Sequence, residues 1–203
     1  MAYKSFKHLT PRNQSSLVTQ LHKLISYYGE IFCPRERVYL KNLVQYDDVI
    51  YWLEDEEKKM VAVALMDPNY IFEVSGVKVY ILSYLISKRQ GQMDRILAHI
   101  WSDYEDKTIA LLSRKALTAG IDLIGLGLVP FSPVELSKFW PELANQQTDF
   151  FNLKKETLSQ GMDRKQYYLY LKISYKDLST LQKNSPALVD AINQKDEAMK
   201  QLA

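Results

Sequence analysis

The stretch Val79–Trp101, VYILSYLISKRQGQMDRILAHIW, runs from an apolar β-rich segment through a short basic turn with one glycine into residues that suit a helix. That order of elements is how many folds seat a phosphate group. The strand delivers the chain to a turn, the glycine lets the backbone come close, and the first N–H groups of the helix point at the anion. Lys88, Arg89 and Arg95 supply positive charge along the way. The chemistry open to such a seat is the binding of a phosphorylated cofactor.

Other residue types that do chemistry are sparse. His8, His22 and His99 lie far apart and show no metal-ligand spacing. His22 falls at the solvent boundary of an amphipathic helix, and His99 serves as a base only if its helix lines a cleft. The single cysteine, Cys33, has no nucleophile signature around it and reads as a structural thiol. Glu54, Asp55, Glu56 and Glu57 read as a solvated turn rather than a metal site. No metal is expected. Tyr80 and Tyr84 stand four residues apart on a β-rich run and therefore share a face. They line an acceptor pocket or pack against a helix, and the spacing does not choose between the two.

The whole chain sets the frame for these residues. Its 203 residues suffice for one domain with a full core and would make a second cramped. Apolar content of 47% and charged content of 25% exclude a largely disordered chain. A net charge of +2, with no long basic tract, gives no reason to expect nucleic acid. One cysteine excludes an intrachain disulfide and fits a reducing compartment. No apolar run approaches ~18 residues, so no membrane insertion is expected, and a cytoplasmic location is the default. Seven glycines against fourteen tyrosines is a low glycine count for a protein that wraps phosphates, and the tyrosines fit strands or a protein-binding surface.

The elements that must position the seat follow from local signals. Tyr3–Leu9 alternates as a first strand. Thr10 as N-cap and Pro11 at the first position open a helix with Leu17, Leu21, Leu24, Ile25 and Tyr28 on one face, ended by Gly29. A second helix is expected over Pro34–Tyr46. Val49–Leu53 and Met60–Met66 form a hairpin around the acidic turn. A second β-rich segment, Asn69–Ser87, turns at Ser75-Gly76, and its part Val77–Ile86 is apolar on both faces, hence central. Thr108 to about Gly120 reads as a helix and Ile121–Val129 as a strand. Ser132 caps a helix with Pro133 in its first turn that Pro141 ends or kinks. Lys165–Ile173 is a strand, and two short helices close the chain, the second entered at Ser185-Pro186. The expected class is mixed α/β.

In this layout the opening stretch resembles the GNAT superfamily of N-acetyltransferases. Lys88-Arg89-Gln90-Gly91-Gln92-Met93 is similar to the family's loop [RQ]-x-x-G-x-[GA], and Arg95-Ile96-Leu97 to the start of the helix that follows it. The resemblance covers residues 3 to 173. It implies a mixed central sheet flanked by helices, with a GNAT-like acyltransferase domain over 1–174 and a helical C-terminal tail over 175–203. It implies acetyl-CoA or another acyl-CoA as cofactor. Ser83, Leu85 and Ile86 would hold the pantetheine arm, and Lys88, Arg89, Gln90, Gly91, Gln92 and Arg95 the phosphates. Glu73 is the acidic residue nearest the position of the family's proton acceptor, and Tyr80, Tyr84 and Trp140 would form the acceptor pocket.

The chain departs from the family pattern in ways that carry physical weight. Met93 stands where a Gly or Ala lets phosphates approach bare N–H groups, and Asp94 adds negative charge beside it. Phe139-Trp140-Pro141-Glu142-Leu143 resembles the segment whose Tyr protonates the leaving thiolate. It puts Trp140 at the Tyr, and an indole N–H is no proton source at ordinary pH. If Ile96–Trp101 were instead a strand, the loop after it would be acidic and wrong for CoA. Two readings follow. One is an N-acyltransferase acting on an amine substrate. The other is an inactive GNAT-fold adaptor or chaperone-like subunit that binds a protein partner through its C-terminal helices and aromatic surface.

Overall fold

The computed structural model describes residues 11–27, 50–87, 91–114, 127–144 and 167–200. In chain order the elements are α1 (Pro11–Tyr27), β1 (Ile50–Glu54), β2 (Met60–Val74), β3 (Val77–Ser87), α2 (Gln92–Asp103), β4 (Thr108–Arg114), β5 (Val129–Phe131), α3 (Pro133–Phe139), β6 (Tyr167–Lys172), α4 (Tyr175–Asn184) and α5 (Pro186–Lys200). Six strands form a sheet ordered β1-β2-β3-β4-β6-β5. The pairs β1/β2, β4/β6 and β5/β6 are antiparallel. The neighbours β3 and β4 are joined through α2, the kind of connection that parallel strands require. By contacts the chain divides into two compact units, Met1–Asn69 with Leu82–Ser102, and Tyr70–Ile81 with Asp103–Ala203. The expected strand at 3–9 and helix at 34–46, with Cys33, lie outside the described residues.

In the first unit α1 buries Leu17, Val18, Leu21 and Leu24 as one stripe, as the spacing predicts. Its Gln20 Oε1 accepts the Met60 N–H at 3.1 Å, which ties the helix to the start of β2. The β1/β2 hairpin matches Ile50 with Leu65 through Leu53 with Ala62, and then slips at Glu54. Asp55 shapes the turn: its Oδ1 accepts the N–H groups of Glu57 and Lys59 at 3.0 and 2.9 Å. This is the exposed acidic turn expected from the sequence, with Glu56 and Glu57 in solvent. The structure corrects the segmentation here. β2 does not stop at Met66 but continues through Pro68 to Val74. Proline removes one donor and fits an extended backbone, so it punctuates a strand less firmly than a helix.

In the second unit one sheet face forms the core. Val77, Val79 and Ile81 of β3, Ala110 of β4, Leu169 and Leu171 of β6, and Val129 and Phe131 of β5 point the same way. Their cover includes Leu136, Trp140 and Leu143, together with Leu181, Leu188, Val189, Ala191 and Ile192 of α4 and α5. The apolar side of the two C-terminal helices is thus packed in this chain's own core and is not a free surface for a partner. A second correction falls at Thr108. The residues expected to start a helix form β4, which pairs with β6 from Ile109–Lys172 to Arg114–Tyr167. Thr108, Ile109, Ala110 and Leu111 are all buried, so this short run is apolar on both faces, where periodicity cannot separate helix from strand. The expected strand 121–129 lies outside the described residues except at its end, where Val129 opens β5. The alternative of a strand over Ile96–Trp101 is excluded, because those residues lie in α2.

Side-chain caps fix the ends of the helices. Ser132 accepts the Glu135 N–H at 3.2 Å, and Glu135 Oε2 accepts the Ser132 N–H at 2.8 Å, which completes a capping box. The same carboxylate meets Lys195 of α5 at 2.6 Å. Ser174 caps α4, its backbone N–H donates to Thr108 Oγ1 at 3.2 Å, and that hydroxyl donates to Asp177 at 2.6 Å. The buried polar residues Thr108 and Ser174 are therefore partnered.

The tightest knot lies at the β2–β3 turn. Ser75 and Gly76 have φ of 52° and 76°, the two left-handed residues of a type I′ hairpin. A Cβ at Gly76 would also crowd Asn184 and Thr180 of α4 at 3.2 and 3.3 Å. Ser75 Oγ accepts the indole N–H of buried Trp140 at 2.9 Å and donates to Glu142 Oε2 at 2.9 Å. It also lies 2.8 Å from Ser185 Oγ. With its only proton given to Glu142, Ser75 must accept from Ser185. The backbone joins in: Ser75 N–H donates to Glu142, and Ser75 C=O accepts from Asn184, each at 2.8 Å.

Two expectations follow. Ser75→Gly relieves the left-handed backbone yet leaves Trp140 Nε1 without an acceptor. It should lower stability by about 1–3 kcal/mol in urea or thermal unfolding. A gain in stability would show that backbone strain outweighs the hydroxyl network. For Glu135, burial raises the carboxyl pKa, but the hydrogen bonds from Lys195 and Ser132 outweigh it, and the net position is below the ordinary 4.5. A carboxyl depressed in the fold stabilises above its unfolded pKa and loses that contribution as pH falls through the folded one. The stability difference between wild type and Glu135→Gln should therefore be full at pH 7 and shrink below about pH 4.5. A difference independent of pH would remove the carboxylate's charge from the account.

Candidate functional site

The described part of the site lies within the first unit, on the last turns of β3 and the beginning of α2. At Lys78–Ile81 β3 alternates exposed and buried residues, and from Ile81 onward Ile81, Leu82, Leu85 and Ile86 are all buried. That change marks the passage from a half-exposed to a central strand. Ser83 and Tyr84 occupy positions in it whose side chains lie outside the description, as do residues Lys88, Arg89 and Gln90. The chain reappears at Gly91 with φ +77°, a conformation that L side chains rarely adopt. A Cβ there would meet nothing within 4 Å, so backbone geometry rather than crowding calls for glycine.

α2 then starts at Gln92. Met93, Ile96, Leu97 and Ile100 are buried and follow the i, i+3, i+4, i+7 spacing of one helix face. Asp94, Arg95, Ala98 and His99 are exposed. This removes one objection raised by the sequence. Met93 is only 7% exposed, and its thioether belongs to the inner stripe rather than projecting into solvent beside the loop. The first turn carries Asp94 and Arg95, one charge of each sign. Gln92 is half-buried, and its Oε1 is fully buried with no hydrogen-bond partner among the described residues. Sequence reasoning grouped Gln92 with the phosphate ligands by its place in the loop. Nothing in the sequence signals that its oxygen is enclosed.

The remaining candidates belong to the second unit. Glu73 is exposed, two residues before the Ser75-Gly76 turn. Tyr80 is half-buried and meets the edge of Tyr104, with centroids 5.6 Å apart and planes at 69°. Lys107 Nζ lies 4.9 Å from each ring centroid. Tyr80 thus braces the 104–107 turn, an arrangement its own sequence neighbourhood does not reveal. Trp140 is a core residue, 1% exposed, and its indole N–H is engaged by Ser75. Its assignment to the acceptor pocket is corrected on that ground: the ring fills the core between α3 and the sheet face and is not a free wall.

The site's elements can therefore do one thing well. A strand buried on both faces leads through a left-handed glycine with open space around it to the N-terminus of a 12-residue helix. Such a terminus presents unsatisfied N–H groups and the positive end of the helix dipole.

No protein-family model and no curated protein sequence matches the chain. Solved structures do. Rv2747 from Mycobacterium tuberculosis, solved in complex with CoA, is similar at a TM-score of 0.50 and 14% identity, over 78% of this chain and 95% of that one. A histone acetyltransferase HPA2 and related acetyltransferase from Corynebacterium glutamicum is similar at a TM-score of 0.50 and 15% identity, over 86% and 97%. At these identities the likeness speaks for the fold alone. The chain has the GNAT acetyltransferase fold, a mixed sheet flanked by helices.

Proposed function

We propose that this protein is an acyl-CoA-dependent N-acyltransferase whose cofactor lies along residues 83–95. The observation that carries the reading is the strand–glycine–helix corner at Gly91, with its left-handed backbone and open surroundings, in a fold shared with a solved CoA complex and with a solved acetyltransferase. Acyl-CoA, when bound, supplies a thioester that an amine can attack directly. On this reading the backbone around Ser83, Leu85 and Ile86 pairs with the pantetheine arm. The first N–H groups of α2 and the charges of Lys88, Arg89 and Arg95 meet the phosphates. The buried, two-sided apolar setting of Leu85 and Ile86 keeps water from that part of the strand. Gln90 completes the loop between strand and glycine.

No covalent enzyme intermediate is required. An exposed carboxylate is poorly placed to be poised as a base, so Glu73 is not assigned that role, and the amine's proton passes to water. The acceptor is an amine, with Tyr80 and Tyr84 the candidates for its pocket. The acyltransferase domain we assign to 1–174, with α4 and α5 an extension integrated into the second unit's core, and the setting to the cytoplasm. The adaptor reading is less favoured, because the helices it would offer to a partner bury Leu181, Leu188, Val189, Ala191 and Ile192 at home. Among the described residues no helix is long and apolar enough to cross a membrane.

Thermal unfolding with millimolar CoA or acetyl-CoA tests the reading. A ligand at a hundred times its Kd adds about 2.7 kcal/mol, which for a chain of this size raises Tm by roughly 5–10 °C. No shift at saturating concentration would defeat the proposal. The placement of the loop is checked separately by Gly91→Trp. The indole puts a side chain where φ is +77° and fills the open space. The variant should unfold a few degrees lower without ligand and lose the CoA shift. A variant still stabilised by CoA as strongly as wild type would place the phosphates elsewhere.

A further inference from the structure

In the second unit β4 and β6 turn another face away from the core. Ala110 and Leu171 lie in the core, so Ile109 and Lys172, opposite each other in the register, stand on the other face. Tyr80 shares that face, because Val79 and Ile81 on either side of it belong to the core. The turn before β4 is tied to this face twice. Tyr80 meets the edge of Tyr104, and the Glu105 carboxylate attracts the Lys172 ammonium. Ile109 is fully buried and Lys172 half-buried, so the ammonium stands at the rim of an apolar surface. Burial carries it below its ordinary value of 10.5, in spite of Glu105. Other lysines are met differently. Lys59, Lys176 and Lys195 are bridged to Glu57, Asp106 and Glu135, and Lys107 and Lys138 each lie 4.9 Å from a ring centroid. Carboxylates and ring faces attract a cation, whereas a half-dry apolar setting favours the neutral amine, whose free electron pair is a nucleophile.

We infer that Lys172 is a site of covalent acylation, its Nζ taking the acyl group of an acyl thioester. The Nζ electron pair adds to the thioester carbonyl, a C–N bond forms, the C–S bond breaks, and the amine's proton leaves with the thiol. The product is a neutral amide, which costs less to keep in a half-dry place than an ammonium. The inference does not need the cofactor seat, since Lys172 belongs to the second unit and Gly91 to the first. Lys107 is the internal comparison. It is the more exposed of the two, yet its ammonium lies against both tyrosine rings.

The test treats wild-type protein with acetyl-CoA and, separately, with N-hydroxysuccinimidyl acetate, an amine reagent that needs no cofactor site. Acetylation of each lysine is followed over time by peptide mass spectrometry. Lys172 should react ahead of Lys107, Lys138 and Lys176 with both reagents, by about threefold or more in initial rate. Rates that follow exposure, with Lys172 behind those three, would overturn the inference. So would a Lys172 that leads with the ester and stays unmodified by acetyl-CoA. A second measurement does not depend on reactivity. Lys172→Met keeps the length of the side chain and drops its charge, so it should melt as high as wild type or higher. A lower Tm would show that the fold welcomes the ammonium and would also overturn the inference. The two readings fail separately. Acetyl-CoA that stabilises the fold without modifying Lys172 leaves the acyltransferase reading standing, and modification of Lys172 without stabilisation by CoA leaves only this inference.

Discussion

A single hydroxyl sets the geometry of the second unit. Ser75 has one proton and two lone pairs, and all three are used: the proton on Glu142, the lone pairs by Trp140 and Ser185. Its backbone N–H and C=O are bonded to Glu142 and Asn184 as well. The turn between β2 and β3 is thereby fastened to the segment after α3 and to the junction of α4 with α5. The left-handed φ at this position favours Gly or Asn, so serine is accommodated despite the backbone preference. Its hydroxyl is the reason it fits. A Cβ at position 76 would stand 3.2 Å from the Asn184 amide and 3.3 Å from the Thr180 methyl, so glycine there also spares α4 a small displacement.

The C-terminal helices owe their position to the same knot. Once Asn184 and Ser185 are tied to the turn, α5 runs back over the sheet, where Lys195 meets both Glu135 and the ring face of Phe131. Leu188, Val189, Ala191 and Ile192 enter the core as a consequence. Burying a side chain of that kind contributes about 1.5–3 kcal/mol for the larger ones, so this face is not held ready for another protein. An amphipathic tail read from sequence alone shows its apolar stripe but not the surface that already covers it.

What the sequence revealed and what it hid divide along one physical line. Local chemistry was legible. Ser132 with Pro133, the Ser75-Gly76 turn and the Ser185-Pro186 junction each depend on residues within a few positions of one another. Long-range pairing was not. Thr108–Leu111 has residue types compatible with either helix or strand, and only its partner β6, some sixty residues on, makes it a strand. Trp140 was drawn to the pocket by a motif, while the acceptor for its indole comes from a turn 65 residues earlier.

The candidate site repeats the division. Its strand, glycine and helix were visible, and the orientation of Met93 was not. With the thioether turned inward by the helix's own periodicity, the steric case against a cofactor weakens and the electrostatic one remains. Residues 88–95 hold Lys88, Arg89 and Arg95 against Asp94, a net +2 by sequence. An exposed anion at a helix N-terminus gains only about 0.3–1 kcal/mol from the dipole, and Asp94 already occupies part of that field. Solvent and salt screen the cations at such a surface. Phosphate contacts alone therefore give a weak, salt-sensitive grip on the proposed cofactor.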